Sequence, residues 1–194
     1  PVIMEQYRNE QLGIQRHGGK CVVYNTEVYP KGSPIDSWWD LTRPEYKGRL
    51  IMKDPMLGGS DINLVAMFIK HADTMAAAYK KEFGQDIQLS KGVENAGYEF
   101  IKRLLDNDMI LTSGGDDVVI SVGAPGQKNP PFGLTGPSKL SLKEEQTLYV
   151  DVVWGLEPFD MFMSQTAVGI PAYAPHSNAA KLMIKWLYGD KDGG

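Results

Sequence analysis

The sequence has little of several features that would mark particular protein classes. A single cysteine, Cys21, among 194 residues excludes an intrachain disulfide. The longest apolar stretches, such as residues 62–69, are too short to cross a bilayer. With 20 basic against 24 acidic side chains, the net charge is −4, whereas a nucleic-acid-binding surface needs an excess of basic groups. We therefore expect a chain without a membrane span and without a nucleic-acid partner.

Sequence motifs of the common enzyme classes are also missing. There is no Gly-x-Ser-x-Gly elbow, Walker A loop, dinucleotide-binding fingerprint or His-Glu-x-x-His helix. The three histidines, His17, His71 and His176, lie far apart, and none has a neighbour at metal-ligand spacing. A spatial arrangement of Ser60 with His71 stays open. The expectation is a protein that is not an enzyme, with no catalytic residue, no metal ligand and no cofactor.

The ends of the chain carry no processing signal. The sequence begins Pro-Val-Ile without an initiator methionine, and neither end has a charged and apolar signal peptide. We interpret the chain as a piece of a longer protein, so the missing export signal does not indicate a cytoplasmic location.

Hydrophobic periodicity predicts strands that alternate with helices, which is typical of an α/β fold with a parallel or mixed sheet. Residues 155–169 show no clear pattern and are left unassigned, and residues 170–174 are expected to be extended. The predicted strands cover residues 21–26, 49–53, 109–112, 132–135 and 147–154. The predicted helices cover a segment from residue 60 onward, residues 73–82, 93–105 and 116–122, and a segment from residue 177 onward.

Two glycine-containing turns each follow a predicted strand and open a predicted helix. They are Gly58-Gly59-Ser60-Asp61 and Thr112-Ser113-Gly114-Gly115-Asp116. The backbone N–H groups at a helix start attract anionic or carbonyl groups, and glycine lets a ligand approach closely. In open α/β sheets ligands bind beyond the carboxyl ends of strands, where both turns are expected to lie. Ser60 and Ser113 add hydroxyl groups, so the two turns form a candidate ligand site.

Several segments, taken in order, resemble a known family. They are VYNT at 23–26, SWWDLTRPEYKGRL at 37–50, Asp54-Pro55, Gly59-Ser60, and APHSNAAK at 174–181. They occur in the family's order across roughly residues 20–188, a range that includes most of the chain. They resemble the bacterial extracellular solute-binding proteins of ABC importers, in the branch for ferric iron and related small solutes.

The resemblance implies a type II periplasmic-binding-protein fold with two lobes that close on the ligand about a hinge. Residues 20–125 are then expected to be a nearly complete second lobe, with a mixed sheet flanked by helices. Residues 1–19 and 132–194 are expected to be part of a first lobe whose N-terminal segment this chain lacks. The ligand-binding residues implied by the resemblance are Asn25, Thr26, Gly59, Ser60, Asp61, Ser113 and Gly114.

The function that the resemblance implies is capture of a small solute for import by an ABC permease, in the periplasm or outside the cell. The full-length protein would be exported or lipid-anchored. Two alternatives from other classes stay open. One is the ligand-sensing effector domain of a transcription regulator, which can share the fold, and the other is a hydrolase.

One departure from the iron-binding branch bears on the ligand. Iron-binding members usually have adjacent tyrosines after the chain returns to the first lobe, whereas residues 132–137 contain none. Direct iron coordination by a tyrosine pair is therefore not expected, and a phosphonate, phosphate ester, carboxylate or metal chelate fits the helix starts better. Because carboxylates disfavour a bare dianion, Asp61 and Asp116 point further to an anion that also carries an amine.

The predicted strand over residues 147–154 is apolar on nearly every side chain. If its neighbouring strands are absent, an exposed apolar edge becomes a template for pairing with another chain. We therefore expect the chain to self-associate as a dimer.

Overall fold

The computed structural model describes residues 12–57 and 59–189, with side chains from His17 onward. The chain forms two compact units. The central unit is Gly19–Phe162, and the flanking unit is Pro1–Gly18 together with Met163–Gly194. Residues 1–11 of the expected first lobe lie outside the described residues.

Six strands form one mixed sheet. β1, β4 and β5 are antiparallel neighbours in the order β4-β1-β5, while β2 is parallel to both β3 and β4. The sheet order is thus β3-β2-β4-β1-β5, and β6 also pairs with β1. The strands are β1 Leu12–Asn25, β2 Leu50–Lys53, β3 Ile110–Thr112, β4 Phe132–Thr135, β5 Val150–Val152 and β6 Met161–Gly169.

Helices connect these strands, and the expected α/β fold class with a mixed sheet is confirmed. Short 3-10 helices precede β2 and α1, and the Ser37 side chain caps the first of them by accepting the Trp39 N–H. The helices are α1 Ser60–Lys70, α2 Ala72–Phe83, α3 Ala96–Asp106, α4 Gly115–Gly123, α5 Leu142–Gln146 and α6 Ser177–Tyr188.

The two compact units divide the chain after Gly18 and after Phe162, so the second change of unit falls within β6. β4, which begins at the residue where the chain is expected to return to a first lobe, is buried along its whole length, pairs with both β1 and β2, and lies in the central unit. The assignment of residues 20–125 to a second lobe and of residues 1–19 and 132–194 to a first lobe stays a prediction.

Two other predicted segments differ from the structure. The strand expected over residues 147–154 is reduced to Val150–Val152, and the apolar Tyr149 and Trp154 on either side of it are exposed. The expected extended stretch 170–174 is not a strand. The unassigned residues 155–169 instead contain β6, whose side chains are half-buried or exposed and so lack a strong alternating pattern.

The core of the central unit lies on both faces of the sheet. On one face, Trp38 and Trp39 are fully buried and pack edge-on against Phe100, whose ring centroid lies 4.9 Å from that of Trp39. Their indole N–H groups donate to the carbonyls of Phe159 and Met75, at 2.8 and 2.9 Å. On the other face, the valines of α4 pack against β1. Both tryptophans are therefore core anchors rather than candidates for stacking on a ligand.

A buried carboxylate holds the loop before α3. Glu99 accepts hydrogen bonds from the backbone N–H of Ser90 at 2.8 Å, from its hydroxyl at 3.2 Å, and from Nε of Arg103 at 2.8 Å. Burial by itself would raise the pKa of Glu99, but these three donors together outweigh burial, and the pKa is lowered.

None of the helices in the described ranges is long and apolar enough to cross a membrane.

Candidate functional site

The carboxyl ends of three strands meet at one edge of the central unit's sheet. β2 is parallel to both β3 and β4, with Lys53 opposite Thr112 and Met52 opposite Leu134. Because β1 runs antiparallel to β4, its residue Cys21 lies opposite Thr135, and the chain just before Cys21 reaches the same edge. We call this region the carboxyl edge; it comprises the segments 54–57, 59–61, 113–116 and 135–139 and residues 19–20.

The turn after β2 is held by hydrogen bonds from and to Asp54. The Asp54 N–H donates to the Thr112 carbonyl at 2.9 Å, and Asp54 Oδ1 accepts the Met56 N–H at 2.8 Å. Gly59 then adopts φ +85° and ψ −150°, a conformation that side chains other than glycine rarely take. The N-cap residue, a glycine, has no side chain with which to cap the start of α1, and the N–H groups in the first turn of a helix have no acceptor within the helix.

The turn after β3 leads into α4 in a similar way. Gly114 is the N-cap residue of α4 and has no side chain with which to cap it. The Ser113 hydroxyl lies 3.2 Å from Oδ2 of Asp117 and donates to it. The sequence thus correctly predicts two helix starts after neighbouring strands, and five of the proposed ligand-binding residues lie at the carboxyl edge: Gly59, Ser60, Asp61, Ser113 and Gly114.

A buried ion pair lies beneath the start of α1. Nζ of Lys20 is 2.5 Å from Oδ1 of Asp61, and both residues are buried. Within the described part of the chain, Asp61 Oδ1 accepts no hydrogen bond, so its contact with Lys20 is an ion pair without a hydrogen bond. Asp61 was expected to face a ligand as a free carboxylate. In the structure its charge is matched by Lys20.

A second ion pair lies at the start of α4. Nζ of Lys139 is 2.8 Å from Oδ1 of Asp116, and both side chains are about half exposed. The stem of Lys139 passes close to Gly115, where an added Cβ would lie 3.7 Å from Cε. Thus both carboxylates that seemed to disfavour an anion are paired with lysines.

Asn25 and Thr26 are not brought to the carboxyl edge. They follow the end of β1, which runs antiparallel to β4, so they lie at the opposite edge of the sheet. Asn25 is fully buried, and its amide donates to the carbonyls of Val122 and Ala124, at 2.8 and 3.3 Å. Its Oδ1 accepts the N–H groups of residues 27 and 28, at 2.9 and 3.0 Å. The hydrogen-bonding capacity of the Asn25 side chain is therefore used within the fold.

Three further residues at the carboxyl edge were not predicted from the sequence: Lys20, Thr135 and Lys139. Lys20 directly precedes the apolar run Cys21-Val22-Val23 and shares a strand face with Val22. A lysine in phase with buried positions needs a carboxylate partner, and that signal was available. Thr135 is buried, and its hydroxyl donates to the Gly115 carbonyl at 3.3 Å. Nothing in the local pattern marks Lys139.

One acidic cluster lies outside the carboxyl edge. Carboxylate oxygens of Asp36, Asp40 and Glu82 lie within 4.8 Å of one another. Arg43 occupies this cluster, because its Nε donates to Asp40 at 2.7 Å and its terminal nitrogen pairs with Glu82. The cluster therefore binds an internal guanidinium group.

No protein-family model matches the chain, and no curated protein matches its sequence. Solved structures do match. The ferric-iron-binding protein A of Mannheimia haemolytica, in an open conformation, superposes with a TM-score of 0.67 at 18% identity, covering 99% of this chain and 56% of that one. The substrate-binding protein of an ABC transporter from Agrobacterium tumefaciens gives a TM-score of 0.61 at 12% identity, covering 94% of this chain and 48% of that one. A two-component system protein that mediates signal transduction gives 0.58 at 14%, covering 96% and 54%.

At these low identities it is the superpositions that show a shared fold. The chain has the fold of the ferric-ion-binding and other extracellular solute-binding proteins, as the resemblance implied, and it spans about half the length of the chains that it matches.

Proposed function

We propose that the chain is part of the solute-binding receptor of an ABC importer, and that its carboxyl edge binds an anionic group of the solute. The observation that carries this proposal is the juxtaposition of two helix starts, those of α1 and α4, at the ends of the adjacent parallel strands β2 and β3. Each helix start presents N–H groups and the positive end of a helix dipole. The fold is one that solved solute-binding proteins share.

The ligand class follows from the charges at this edge. An anion bearing an amine was expected because Asp61 and Asp116 seemed to be unmatched. Since each is paired with a lysine, neither carboxylate requires an amine on the ligand, and we propose a phosphate, phosphonate or carboxylate group. Tyrosine ligands for iron have no support here, because residues 132–135 form the buried strand β4 and contain no tyrosine.

The proposal includes capture without chemical change, in the periplasm or outside the cell, and delivery to a permease. The Ser113 hydroxyl is bonded to a carboxylate, Asp117, rather than activated by a histidine. A solute incubated with the protein is therefore expected to be recovered unchanged, which mass spectrometry of the released solute measures.

A second candidate is a ligand-sensing domain of a signalling or regulatory protein. It is supported by the match to a two-component system protein with the same fold. Both candidates would use the same anion site. An import receptor is exported, whereas the sensing domain of a transcription regulator stays in the cytoplasm. Fractionation of the producing cells therefore distinguishes an import receptor from a transcription regulator.

The test is a titration of the ¹⁵N-labelled chain with inorganic phosphate or methylphosphonate, with potassium chloride at matched ionic strength as the control. We expect amide shifts to concentrate at residues 59–61 and 113–116, because anions polarise the N–H groups they contact. Saturable shifts confined to other regions, or no shifts at all, would contradict the proposal.

Three variants make the test specific. Ser60→Ala is expected to weaken phosphate binding by about 1–3 kcal/mol, the usual contribution of a hydrogen bond to a charged group. Ser113→Ala is expected at the lower end of that range, because its hydroxyl must first leave Asp117. Asp117→Asn removes a negative charge and should strengthen binding. Ser141→Ala is the matched control, since its exposed hydroxyl only donates to the Ser138 carbonyl.

A further inference from the structure

A buried lysine lies beside the start of α1 with its hydrogen-bond donors unused. Lys20 is only 8% exposed, and within the described part of the chain its single polar contact is the ion pair with Oδ1 of Asp61. That contact is not a hydrogen bond. A lysine ammonium carries three N–H donors, and buried polar groups in proteins are normally hydrogen-bonded. The Lys20 ammonium therefore has donors to spare for an acceptor from outside the chain.

The side chain of Lys20 lies on the same face of the sheet as α1. Side chains two residues apart in a strand share a face, so Lys20 lies on the face of Val22. Val22 belongs to the same core cluster as Leu64 and Phe68 of α1. The ammonium of Lys20 thus reaches the first turn of α1, where Asp61 is the second residue of the helix.

Close backbone contacts fix the chain at this point. A Cβ added to Gly19 would lie 2.7 Å from the carbonyl oxygen of Phe162 and 2.8 Å from Sδ of Met161. A Cβ added to Gly136 would lie 3.4 Å from the carbonyl oxygen of Gly19. The backbone that carries Lys20 is therefore held between the start of β6 and the segment after β4, and the position of the lysine does not depend on a mobile loop.

An anion at the start of α1 lies within reach of the Lys20 ammonium. Oδ1 of an aspartate is at most about 5 Å from its own backbone nitrogen, which places Nζ of Lys20 within about 7.5 Å of the Asp61 nitrogen. Two oxygens of one phosphate lie about 2.5 Å apart and accept hydrogen bonds of about 2.8 Å, so a phosphate bridges donors up to about 8 Å apart. The lysine is also the more accessible partner, since its side chain is 11% exposed against 3% for Asp61.

We infer that Nζ of Lys20 donates directly to the anion bound at the start of α1, and that Asp61 is the fixed counter-charge that holds the ammonium in place. This inference rests on the proposed function and adds to it a ligand contact supplied by β1. The ion pair is close to neutral when seen from a distance, but a donor in contact with an anion acts through its own N–H groups. The ligand class that fits is an oxyanion whose oxygens contact α1 and Lys20 together, such as a phosphate or phosphonate group.

The first test removes the pair without leaving a buried charge. Lys20→Met combined with Asp61→Asn keeps the net charge of the chain, and we expect it to lower the affinity for inorganic phosphate at least tenfold, measured from the amide shifts of residues 59–61. The matched control is Lys80→Met combined with Asp86→Asn, which removes an exposed ion pair near the end of α2. The control should change the affinity less than twofold, and circular dichroism of both double variants checks that the fold is retained.

The second test observes the Lys20 ammonium itself and needs no variant. In the ¹³C,¹⁵N-labelled parent chain, the Nζ signal is assigned through the other resonances of the Lys20 side chain. We expect it to shift during a phosphate titration with the same dissociation constant as the amides of residues 59–61. A lysine that serves only to hold α1 against β1 would not follow the titration in this way.

The outcomes separate this inference from the proposed function. If phosphate shifts the amides of residues 59–61 in the parent but the Nζ signal of Lys20 stays in place, or the Lys20→Met, Asp61→Asn chain binds phosphate as tightly as the parent, the lysine contact is wrong and the anion site stands. If phosphate shifts none of these amides in the parent, the anion site fails, and the lysine contact fails with it.

Discussion

Replacing Gly97 by alanine should strongly destabilise the central unit, although alanine is the better helix former. Gly97 is the second residue of α3, and its N–H donates to Oδ1 of the N-cap residue Asn95 at 3.0 Å. A Cβ added there would lie 2.2 Å from the carbonyl oxygen of Phe68 and 2.6 Å from Cα of Ile69. The obstacle is the backbone of α1, so no side-chain rotation relieves it.

The magnitude follows from the distance that the two helices must move apart. Ordinary contact begins near 3.4 Å, so the Phe68 carbonyl and the new Cβ have to separate by more than 1 Å. A gap of 0.5–1 Å already forfeits roughly a quarter to a half of each contact's dispersion energy. Behind this contact the ring centroids of Phe68 and Phe100 lie 4.8 Å apart in the core. Against a helix-propensity gain of about 0.5–1 kcal/mol, we expect a net loss of about 3–5 kcal/mol.

Urea unfolding followed by tryptophan fluorescence measures this loss, since Trp38 and Trp39 are buried in the same cluster. Gly48→Ala is the control: Gly48 has φ +67° and nothing within 4 Å of an added Cβ, so only the left-handed backbone conformation is penalised, by about 1–2 kcal/mol. A Gly97→Ala chain as stable as the parent would refute the close contact between α1 and α3.

Three further predictions concern the core and its charges. Gly133→Ala should destabilise the chain by about 1–3 kcal/mol, because the added Cβ would lie 2.7 Å from Cγ1 of Val118. In a double-mutant cycle measured by urea unfolding, adding Val118→Ala should restore part of the lost stability. The lowered pKa of Glu99 means that its contribution to stability is present above the unfolded-state value of about 4.3 and is lost as the pH falls through the folded-state pKa. Glu99→Gln should therefore be less stable at pH 7 and show a shallower fall in stability on acidification, and an unchanged acid profile would contradict this. Lys20→Met leaves Asp61 buried without its cation and should lower the free energy of unfolding by about 3–5 kcal/mol. Adding Asp61→Asn should recover much of that loss. Equal thermal stability of the Lys20→Met chain and the parent would argue against the ion pair.

Elements with strong local signals could be predicted from the sequence. β4 has the predicted bounds, 132–135, because Gly and Pro residues on both sides delimit an apolar run. α1 begins at Ser60 as predicted, directly after a glycine. β6 could not be predicted, because most of its side chains are at least partly exposed on both faces and so show no period of two. The boundary between the two units at Met163 could not be predicted from the local sequence either, because it depends on which strands pair.

The candidate site could be predicted to the extent that it depends on chain order. Two turns that each follow a strand and open a helix lie at one edge of the sheet whenever the two strands are parallel neighbours. β2 and β3 are parallel neighbours. Asn25 was grouped with these turns because the family resemblance implies a ligand-binding role for it. Its placement at the opposite edge follows from the antiparallel direction of β1 relative to β4, and strand direction is decided by long-range pairing.

The charge at the carboxyl edge shows why a ligand class inferred from single residues can be wrong. Asp61 and Asp116 seemed to exclude a simple anion, because an unmatched carboxylate repels one. Their partners Lys20 and Lys139 are distant in sequence and reach the edge only through β1 and the segment after β4. A carboxylate paired at 2.5–2.8 Å with an ammonium group leaves a dipole, whose field falls off faster than that of a charge. What acts on an approaching anion is then the N–H groups of the two helix starts, opposed by Asp117, the carboxylate that the Asp117→Asn variant removes.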